Sequence, residues 1–196
     1  LWVNLYVGSE TEVILGDHKV KFAQKTNYPW SGEVELKMTP DSSKADFAVK
    51  LRIPAWCDKY TVEINGKAID NLLTDKGYAT INRTWLKNDV LKLRMEMPVK
   101  VVAADPRVKA NEGKRAIQRG PLVYCIEEQD NRHLDYDQMV LSKKTQFSTT
   151  FEPALLGGVT TIKAQNGNEN FTLIPYYSWD NRQAGRMKVW IDWKGK

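Results

Sequence analysis

Apolar and polar side chains alternate along most of this chain with a period of two residues. Such alternation predicts β-strands that turn one face to a core and the other to water. No segment carries a convincing helical period, so the pattern predicts an all-β chain. In the first hundred residues it predicts strands at residues 2–7, 11–15, 18–23, 33–38, 46–53, 60–64, 78–81 and 89–97.

Short turn motifs separate these predicted strands. Asn65-Gly66 is the strongest hairpin signal, because both residue types accept the positive φ angles of a type I′ turn, and Gly16-Asp17 predicts a second tight hairpin. Residues 82–88 are expected to form a turn that carries Trp85. Each strand needs a cover for its apolar face, and two antiparallel sheets packed face to face provide one. The sequence therefore predicts β-sandwiches of the jelly-roll kind.

The pattern changes after Pro98, where prolines and glycines punctuate a charged stretch as far as Pro121. This punctuation predicts a crossover or a domain boundary. Beyond it, further short strands are predicted at residues 116–119, 122–126, 147–151, 159–163 and 171–174. The acidic residues between 127 and 137 are expected to lie in a solvated loop. Calcium binding is the alternative, but the spacing and the glycine of an EF-hand loop are absent.

Residues 174–182, with the sequence Ile-Pro-Tyr-Tyr-Ser-Trp-Asp-Asn-Arg, concentrate aromatic and polar side chains in one short segment. Predicted strands lead into it and out of it, so we interpret it as a corner between strands. Tyr and Trp rings can plug a core while a polar edge keeps a hydrogen bond, and they can also stack on sugar faces. The candidate contacts with a sugar or with a neighbouring domain are Tyr177, Trp179, Asp180, Asn181 and Arg182.

Composition narrows the classes of function. The 196 residues carry a net charge of +5, but the basic residues interleave with acidic ones along the predicted strands. The densest basic group, at residues 107–119, lacks the aromatic interleaving of single-strand binders, so no nucleic-acid partner is expected. No run of eighteen apolar residues exists, so no membrane partner is expected. Leu1 is neither an initiator Met nor part of a basic signal region, so we expect a piece of a longer protein.

The two cysteines, Cys57 and Cys125, lie far apart and have no second cysteine nearby. Their number excludes a zinc finger or ribbon, so they are interpreted as buried structural thiols, with a disulfide as the alternative. His18 and His133, the only histidines, lie in no pattern typical of a metal site or a catalytic triad. No cofactor is therefore expected in this chain.

Six motifs in order resemble the bacterial beta-L-arabinofuranosidase family, glycoside hydrolase family 127. The resemblance spans essentially the whole chain. The motifs are Val3-Asn4-Leu5-Tyr6, Thr26-Asn27-Tyr28-Pro29-Trp30-Ser31-Gly32, Leu51-Arg52-Ile53-Pro54-Ala55-Trp56, Val62-Glu63-Ile64-Asn65-Gly66, Gly120-Pro121-Leu122-Val123-Tyr124-Cys125 and the corner at residues 174–182.

The resemblance implies that catalysis belongs to an (alpha/alpha)6 barrel that precedes this region. In that family a cysteine is the nucleophile, a glutamate is the acid/base, and cysteines and a glutamate hold zinc. Neither Cys57 nor Cys125 matches a catalytic or zinc-binding cysteine of the family. Zinc is thus implied for the upstream barrel, and the barrel itself is the implied partner of this chain.

The resemblance also implies two β-sandwiches, one inserted into the other. Residues 1–103 plus 172–196 would form the first sandwich, and residues 104–171 would form the inserted second one. The aromatic corner would then seal the junction between the two.

Three functional hypotheses follow. The first is a non-catalytic C-terminal portion of a zinc-dependent glycoside hydrolase, which supports the barrel. The second is an autonomous carbohydrate-binding module, in which exposed aromatics bind arabinose-containing oligosaccharides. The third is hydrolysis by paired carboxylates such as Glu127, Asp130 or Asp180, which strand alternation disfavours because it places carboxylates on solvated faces. The bacterial compartment, cytoplasm or periplasm, stays open.

Overall fold

The computed structural model describes residues 1–195 and divides the chain into two compact units, with unit 1 at Leu1–Met97 and unit 2 from Pro98 onward. Both units consist of β-strands, as the alternation predicts. The described residues hold no apolar helix of the length a bilayer span requires. Their helical elements are short 3₁₀ turns at Lys109–Asn111, Glu128–Asp130, Tyr136–Gln138 and Tyr176–Ser178.

Unit 1 is a sandwich of two sheets. The four-stranded sheet has the order β1-β5-β9-β8, and the six-stranded sheet has the order β2-β3-β4-β10-β6-β7. Neighbouring strands are antiparallel except for β1 and β5, which are parallel. The strands are β1 (Trp2–Val3), β2 (Ser9–Leu15), β3 (His18–Thr26), β4 (Glu33–Pro40), β5 (Lys44–Arg52), β6 (Tyr60–Ile64), β7 (Lys67–Ala68), β8 (Thr74–Asp75), β9 (Tyr78–Leu86) and β10 (Asp89–Met95).

Strand register in unit 1 aligns the apolar positions of neighbouring strands on one face. Leu91 lies opposite Leu36 and Leu93 opposite Val34, and all four side chains are buried. On the other face of the same pair of strands, Lys92 Nζ lies 3.6 Å from a Glu35 carboxylate oxygen. The period of two thus separates core from solvent, as the sequence predicts.

The two hairpin turns predicted from glycine motifs are confirmed. Leu15 pairs with His18 across Gly16-Asp17, and Ile64 pairs with Lys67 across Asn65-Gly66. Asn65 and Gly66 have φ angles of 51° and 77°, as a type I′ turn requires.

The predicted turn at residues 82–88 is wrong. Strand β9 continues to Leu86, and Trp85 is fully buried, with its indole Nε1 donating to the Phe47 carbonyl at 2.9 Å. The turn is confined to Lys87-Asn88, where Asn88 has a φ of 68°. The polar run before Trp85 concealed the strand, because half of its residues belong to the solvent face. The first strand, predicted at residues 2–7, is confined to Trp2–Val3.

Unit 2 is built on one nine-stranded sheet that forks. The hairpin strands β12 and β13 pair with each other over three residue pairs only. Beyond them β12 pairs with β19 and β13 pairs with β18, so the strands diverge into two layers. The strands are β11 (Val99–Ala103), β12 (Lys114–Arg119), β13 (Leu122–Glu127), β14 (Val140–Ser142), β15 (Gln146–Glu152), β16 (Val159–Asn166), β17 (Glu169–Pro175), β18 (Met187–Lys188) and β19 (Ile191–Lys194).

Both layers of the forked sheet contribute to one core. Ile117 and Ile191 come from the β11-β12-β19-β14 layer, and Tyr124, Ile162 and Leu173 come from the β18-β13-β17-β16-β15 layer. All five side chains are fully buried. The unit therefore encloses its core as a sandwich does, although its strands form one connected sheet.

The predicted domain insertion is not what the structure has. Residues 172–196 were expected to return to the first sandwich, but β17 pairs with β13 and β16, and β19 pairs with β12 and β14. The division falls between Met97 and Pro98, before residue 103, because β11 pairs with β12. The reason is burial: Leu173 and Ile191 fill the core of unit 2, and their strands pair with edges of β12 and β13. Each unit is therefore continuous in sequence.

Candidate functional site

The corner at residues 174–182 begins at the end of β17. Ile174 and Pro175 are buried and lie opposite Cys125 and Tyr124 of β13. The 3₁₀ turn Tyr176–Ser178 follows, and the buried Ser178 hydroxyl donates to the Pro175 carbonyl at 2.7 Å. The start of the corner is thus fixed by the sheet of unit 2.

The three aromatic rings of the corner lie at the surface to different degrees. Tyr176 and Tyr177 are 46% and 49% exposed, whereas Trp179 is partly buried. The rings of Tyr176 and Trp179 are nearly parallel, at an interplanar angle of 8° with centroids 6.4 Å apart. The corner therefore combines an anchored Trp with two half-exposed Tyr rings.

Arg182 joins the end of the corner to the acidic segment that follows β13. Its Nη1 and Nη2 donate to the two carboxylate oxygens of Asp130 at 2.7 and 2.6 Å, and Nη2 also contacts the carboxylate of Glu127. The side chain of Glu127 is only 1% exposed. The hydrogen bonds to Asp130 and then to Glu127 raise the pKa of Arg182 above its ordinary value. Bidentate charge-assisted bonds of this kind are among the strong ones in proteins.

A second arginine, Arg186, also binds carboxylates of the acidic segment. Arg186 Nη2 donates to Glu128 at 2.8 Å, Nη1 donates to Asp137 at 3.0 Å, and the Arg186 backbone N–H donates to Glu128 at 3.1 Å. The hydrogen bonds from the Arg186 side chain and then from its backbone lower the pKa of Glu128. We refer to these two arginines and their four carboxylate partners, Glu127, Glu128, Asp130 and Asp137, as the arginine clamp.

The clamp changes the interpretation of residues 127–137. This segment was expected to be a solvated loop, yet Glu127 is buried and arginines bind the carboxylates of the clamp. Calcium binding was the alternative, and within residues 1–195 no group of three or more His, Cys, Asp or Glu side chains could hold a metal ion. The acidic segment therefore supplies the carboxylates that bind Arg182 and Arg186.

Sequence reasoning missed Asn131, which is 1% exposed. Its amide nitrogen donates to the carbonyls of Glu127 and Thr172 at 2.8 and 2.9 Å, and its amide oxygen accepts from the Thr172 N–H at 2.8 Å. Asn131 thereby binds the acidic segment to β17. Nothing in the local sequence distinguishes it from a surface asparagine, because its partner Thr172 lies 41 residues away.

The five residues predicted as contacts divide into two groups. Trp179 and Arg182 are partly buried, while Tyr177 is half-exposed and Asp180 and Asn181 are exposed. Asp180 has a φ of 61°, and the Asn181 amide donates to the Trp179 carbonyl at 3.2 Å, so both residues shape the local turn. The structure therefore brings Arg182 together with Glu127 and Asp130, and it leaves Asp180 and Asn181 outside that cluster.

Buried polar atoms without hydrogen-bond partners concentrate at this site. In the part of the chain that the structure describes, five buried side-chain atoms have no partner, and four belong to the clamp and corner region. These four are Glu127 Oε1, Gln129 Nε2, Trp179 Nε1 and Arg182 Nε.

Cys57 and Cys125 are buried, form no disulfide and belong to different units, so the alternative of a disulfide between them is wrong. Burial, with smaller contributions from Glu127 and Asp130, raises the pKa of Cys125 to about 12. The Cys57 thiol donates to the Lys59 carbonyl at 3.2 Å. A nucleophile or a zinc ligand has to be a thiolate, so the surroundings of Cys125 oppose either role.

Fold and site together define a class of protein: an all-β chain of two successive sandwich units, whose charged cluster stabilises a loop. The chain belongs to glycoside hydrolase family 127. The family model described as the GH127 middle domain of beta-L-arabinofuranosidase matches residues 1–97, and the model of the family 127 C-terminal domain matches residues 99–192. The change from one model to the other falls where the structure divides the units.

Relatives place this region within longer chains. The chain is 34% identical to a non-reducing end beta-L-arabinofuranosidase of Bifidobacterium longum subsp. longum, over 85% of this chain and 29% of that protein. A crystal structure of a GH127 beta-L-arabinofuranosidase from Geobacillus stearothermophilus T6 matches with a TM-score of 0.88 and 41% identity, over 98% of this chain and 33% of the other. A further GH127 beta-arabinofuranosidase matches with a TM-score of 0.84 and 33% identity, over 97% and 34%. The chain thus spans about a third of its relatives.

Proposed function

We propose that this chain is the non-catalytic β-sandwich portion of a family 127 glycoside hydrolase, and that it supports an upstream (alpha/alpha)6 barrel that hydrolyses beta-L-arabinofuranosides. The observation that carries the proposal is the match of the middle and C-terminal domain models to residues 1–97 and 99–192. The chain corresponds to about a third of relatives whose names give this activity.

The chemistry of the described side chains agrees with a supporting role. Cys125 is a buried thiol with a raised pKa and is poorly suited to nucleophilic attack. Glu127 and Asp130 both accept hydrogen bonds from Arg182. A glycosidase carboxylate has to face the sugar, whereas Arg182 binds both carboxylate oxygens of Asp130 and the Glu127 side chain is only 1% exposed.

Zinc belongs, in this proposal, to the upstream barrel. The described residues do not fit such a site, because the two cysteines lie in separate units and no cluster of three metal-binding side chains occurs within residues 1–195. No step of the chemistry is therefore assigned to zinc in this chain.

Enzyme assays of separate and joined domains test the proposal. The purified 196-residue chain should release no arabinose from a beta-L-arabinofuranoside, and the preceding domain produced without this chain should be less stable to heat than the joined protein. Turnover by the chain alone would contradict the proposal. So would a preceding domain that is equally active and equally stable when it is produced alone.

A second candidate function is binding of arabinose-containing oligosaccharides at the corner. The observation that favours it is the pair of half-exposed rings, Tyr176 and Tyr177, beside the Trp179 ring that lies parallel to Tyr176. Aromatic faces stack on the apolar faces of sugars. Titration with arabino-oligosaccharides should then change Trp fluorescence in the unsubstituted chain and much less in a Tyr176→Ala, Tyr177→Ala variant. Unchanged fluorescence in both would eliminate this function.

A further inference from the structure

Three of the exposed large apolar side chains of unit 1 lie on two adjoining segments, residues 4–8 and 26–32. Leu5 and Val7 are 70% and 62% exposed, and Trp30 is 54% exposed. We call Leu5, Val7 and Trp30 the apolar edge. Single exposed apolar residues are normal on protein surfaces, so what matters is how firmly these three are held and what surrounds them.

The first segment is held in one orientation although it forms no strand. Tyr6, between Leu5 and Val7, is 4% exposed, and its hydroxyl donates to the Arg52 carbonyl at 2.6 Å. The buried Gln24 amide donates to the carbonyls of Leu5 and Val7 at 3.1 and 2.6 Å. Side chains alternate in extended backbone, so burial of Tyr6 turns its two neighbours outward.

The second segment packs against the first through aromatic rings. The Tyr28 ring meets the Tyr6 ring edge-on, with centroids 5.8 Å apart, and it stacks on Trp56 at 6.3 Å. Trp30 follows in a turn that its backbone N–H closes by donating to the Asn27 carbonyl at 2.9 Å. The apolar edge is therefore supported by buried aromatic contacts.

Both segments are also free of charged side chains. The twelve residues at 4–8 and 26–32 contain no Asp, Glu, Lys or Arg, whereas 27% of the chain is charged. About three charged residues would be expected in twelve at that frequency. Depletion of charge together with enrichment of aromatic residues is typical of the buried centre of an interface.

We propose that the apolar edge is the surface by which unit 1 packs against the domain that precedes the middle domain in family 127 chains. The inference rests on the proposed function and specifies its contact. The family model that matches residues 1–97 is described as a middle domain, and the relatives are about three times as long as this chain. The relatives therefore contain a domain before the middle domain. The chemistry of the edge requires an apolar, uncharged counterpart on that domain.

Hydroxyl-radical footprinting tests the contact directly. Side-chain oxidation should be compared between the 196-residue chain and a longer polypeptide that also carries the preceding domain. Trp30 should be oxidised at least about fivefold more slowly in the longer polypeptide, because burial below a tenth of its surface reduces an exposure of 54% by that factor. Leu5 should also be oxidised more slowly in the longer polypeptide. Ile14 and Leu73, which are 73% and 84% exposed in the same unit, should be oxidised at the same rate in both proteins.

A matched pair of variants separates docking from folding. Leu5→Glu with Val7→Glu should leave the melting temperature of the 196-residue chain within about 2 °C of the original, as exposed substitutions do. The same variant should restore Trp30 oxidation in the longer polypeptide to the rate of the isolated chain. The control, Ile14→Glu with Leu73→Glu, adds the same charge to the same unit and should leave Trp30 protected.

Equal oxidation of Trp30 and Leu5 in both proteins would overturn the proposal. It would also be overturned if Trp30 oxidation in the 196-residue chain fell with increasing protein concentration, because a second copy would then cover the edge. If removal of this chain destabilises the preceding domain while Trp30 stays reactive, the supporting function holds through another face. If Trp30 is protected but removal has no effect on stability, the contact exists and the supporting function fails.

Discussion

At the scale of single residues, distant polar partners decide which large or charged side chains enter the core. Trp85 is fully buried because its ring stacks on Phe47 and its N–H reaches the Phe47 carbonyl. Glu127 is buried because Arg182 binds it. Neither partner is a neighbour in sequence, so these burials follow from strand pairing and loop position.

The first prediction concerns Trp85. Trp85→Ala should destabilise unit 1 by about 3–5 kcal/mol, because a large buried ring is removed and its site can collapse only in part. Urea unfolding of the chain measures the loss. Trp30→Ala is the matched control at an exposed position, and in the isolated chain it should change the free energy of unfolding by less than about 1 kcal/mol. Similar losses for both variants would contradict the burial of Trp85.

The second prediction concerns Arg182. Arg182→Met should cost about 3–5 kcal/mol, because the buried carboxylate of Glu127 then keeps no charged partner. The double variant with Glu127→Met should recover part of this loss, since it removes the buried charge of Glu127, while Asp130, whose side chain is 15% exposed, still lacks its arginine. Arg107→Met is the control: its partner Asp105 lies in a solvated pair, so its unfolding curve should be unchanged. A double variant as unstable as Arg182→Met would show that the unpaired charge of Glu127 is not the cause of the loss.

At the scale of elements, the arginine clamp holds residues 179–186, the end of the corner and the loop that leads to β18, in place of strand pairing. Residues 179–186 form no helix or strand, and Arg182 and Arg186 join them to residues 127–137. Backbone bonds add to this, because the Glu128 N–H donates to the Arg186 carbonyl at 3.0 Å. The loop is therefore ordered by side-chain charge as well as by its backbone.

The third prediction is a pH dependence of this loop. Arg186 lowers the pKa of Glu128 in the folded chain below its usual 4.5, so the contact stabilises the loop above that pH. The contribution is lost as the pH falls through the lowered folded pKa, where Glu128 becomes protonated. Amide exchange at Arg186, corrected for the intrinsic rate, should show protection at pH 6 that decreases below pH 4. Glu128→Gln should lack that protection at both pH values, whereas Glu112→Gln, at an exposed pair, should match the original chain.

At the scale of the whole molecule, two separate cores follow one another along the chain. One buried cluster comes from residues 3–95 and the other from residues 117–191. Each is enclosed by strands of its own unit, and the family models divide at the same place. The continuous arrangement implies that each unit contains the strands that its own core requires.

The fourth prediction follows from that arrangement. Residues 1–97 and residues 98–196, produced separately, should each unfold cooperatively in urea, because neither depends on the other for core residues. Circular dichroism with Trp fluorescence provides the measurement. If residues 1–97 folded only when residues 172–196 were supplied, the inserted-domain arrangement would be correct after all.

Much of the secondary structure could be predicted from local pattern. The strand at Tyr60–Ile64 was predicted at its observed bounds, and the Asn65-Gly66 turn was predicted with its conformation. The predictions failed where polar residues continue a strand, as before Trp85, and where acidic residues meet distant arginines. In the corner, the aromatic density was visible in the sequence, but the partners of Arg182 were not.

By itself the sequence determined the all-β class, the hairpin turns, the break after Pro98 and the resemblance to family 127. Alternation and turn chemistry act between near neighbours, so one chain is enough to reveal them. Only the tertiary structure decided that the last strands stay in unit 2, that arginines bind the acidic segment, and that Leu5, Val7 and Trp30 remain outside. These outcomes depend on which strand edges, rings and charges come into contact across about twenty residues or more, and the local sequence does not specify such contacts.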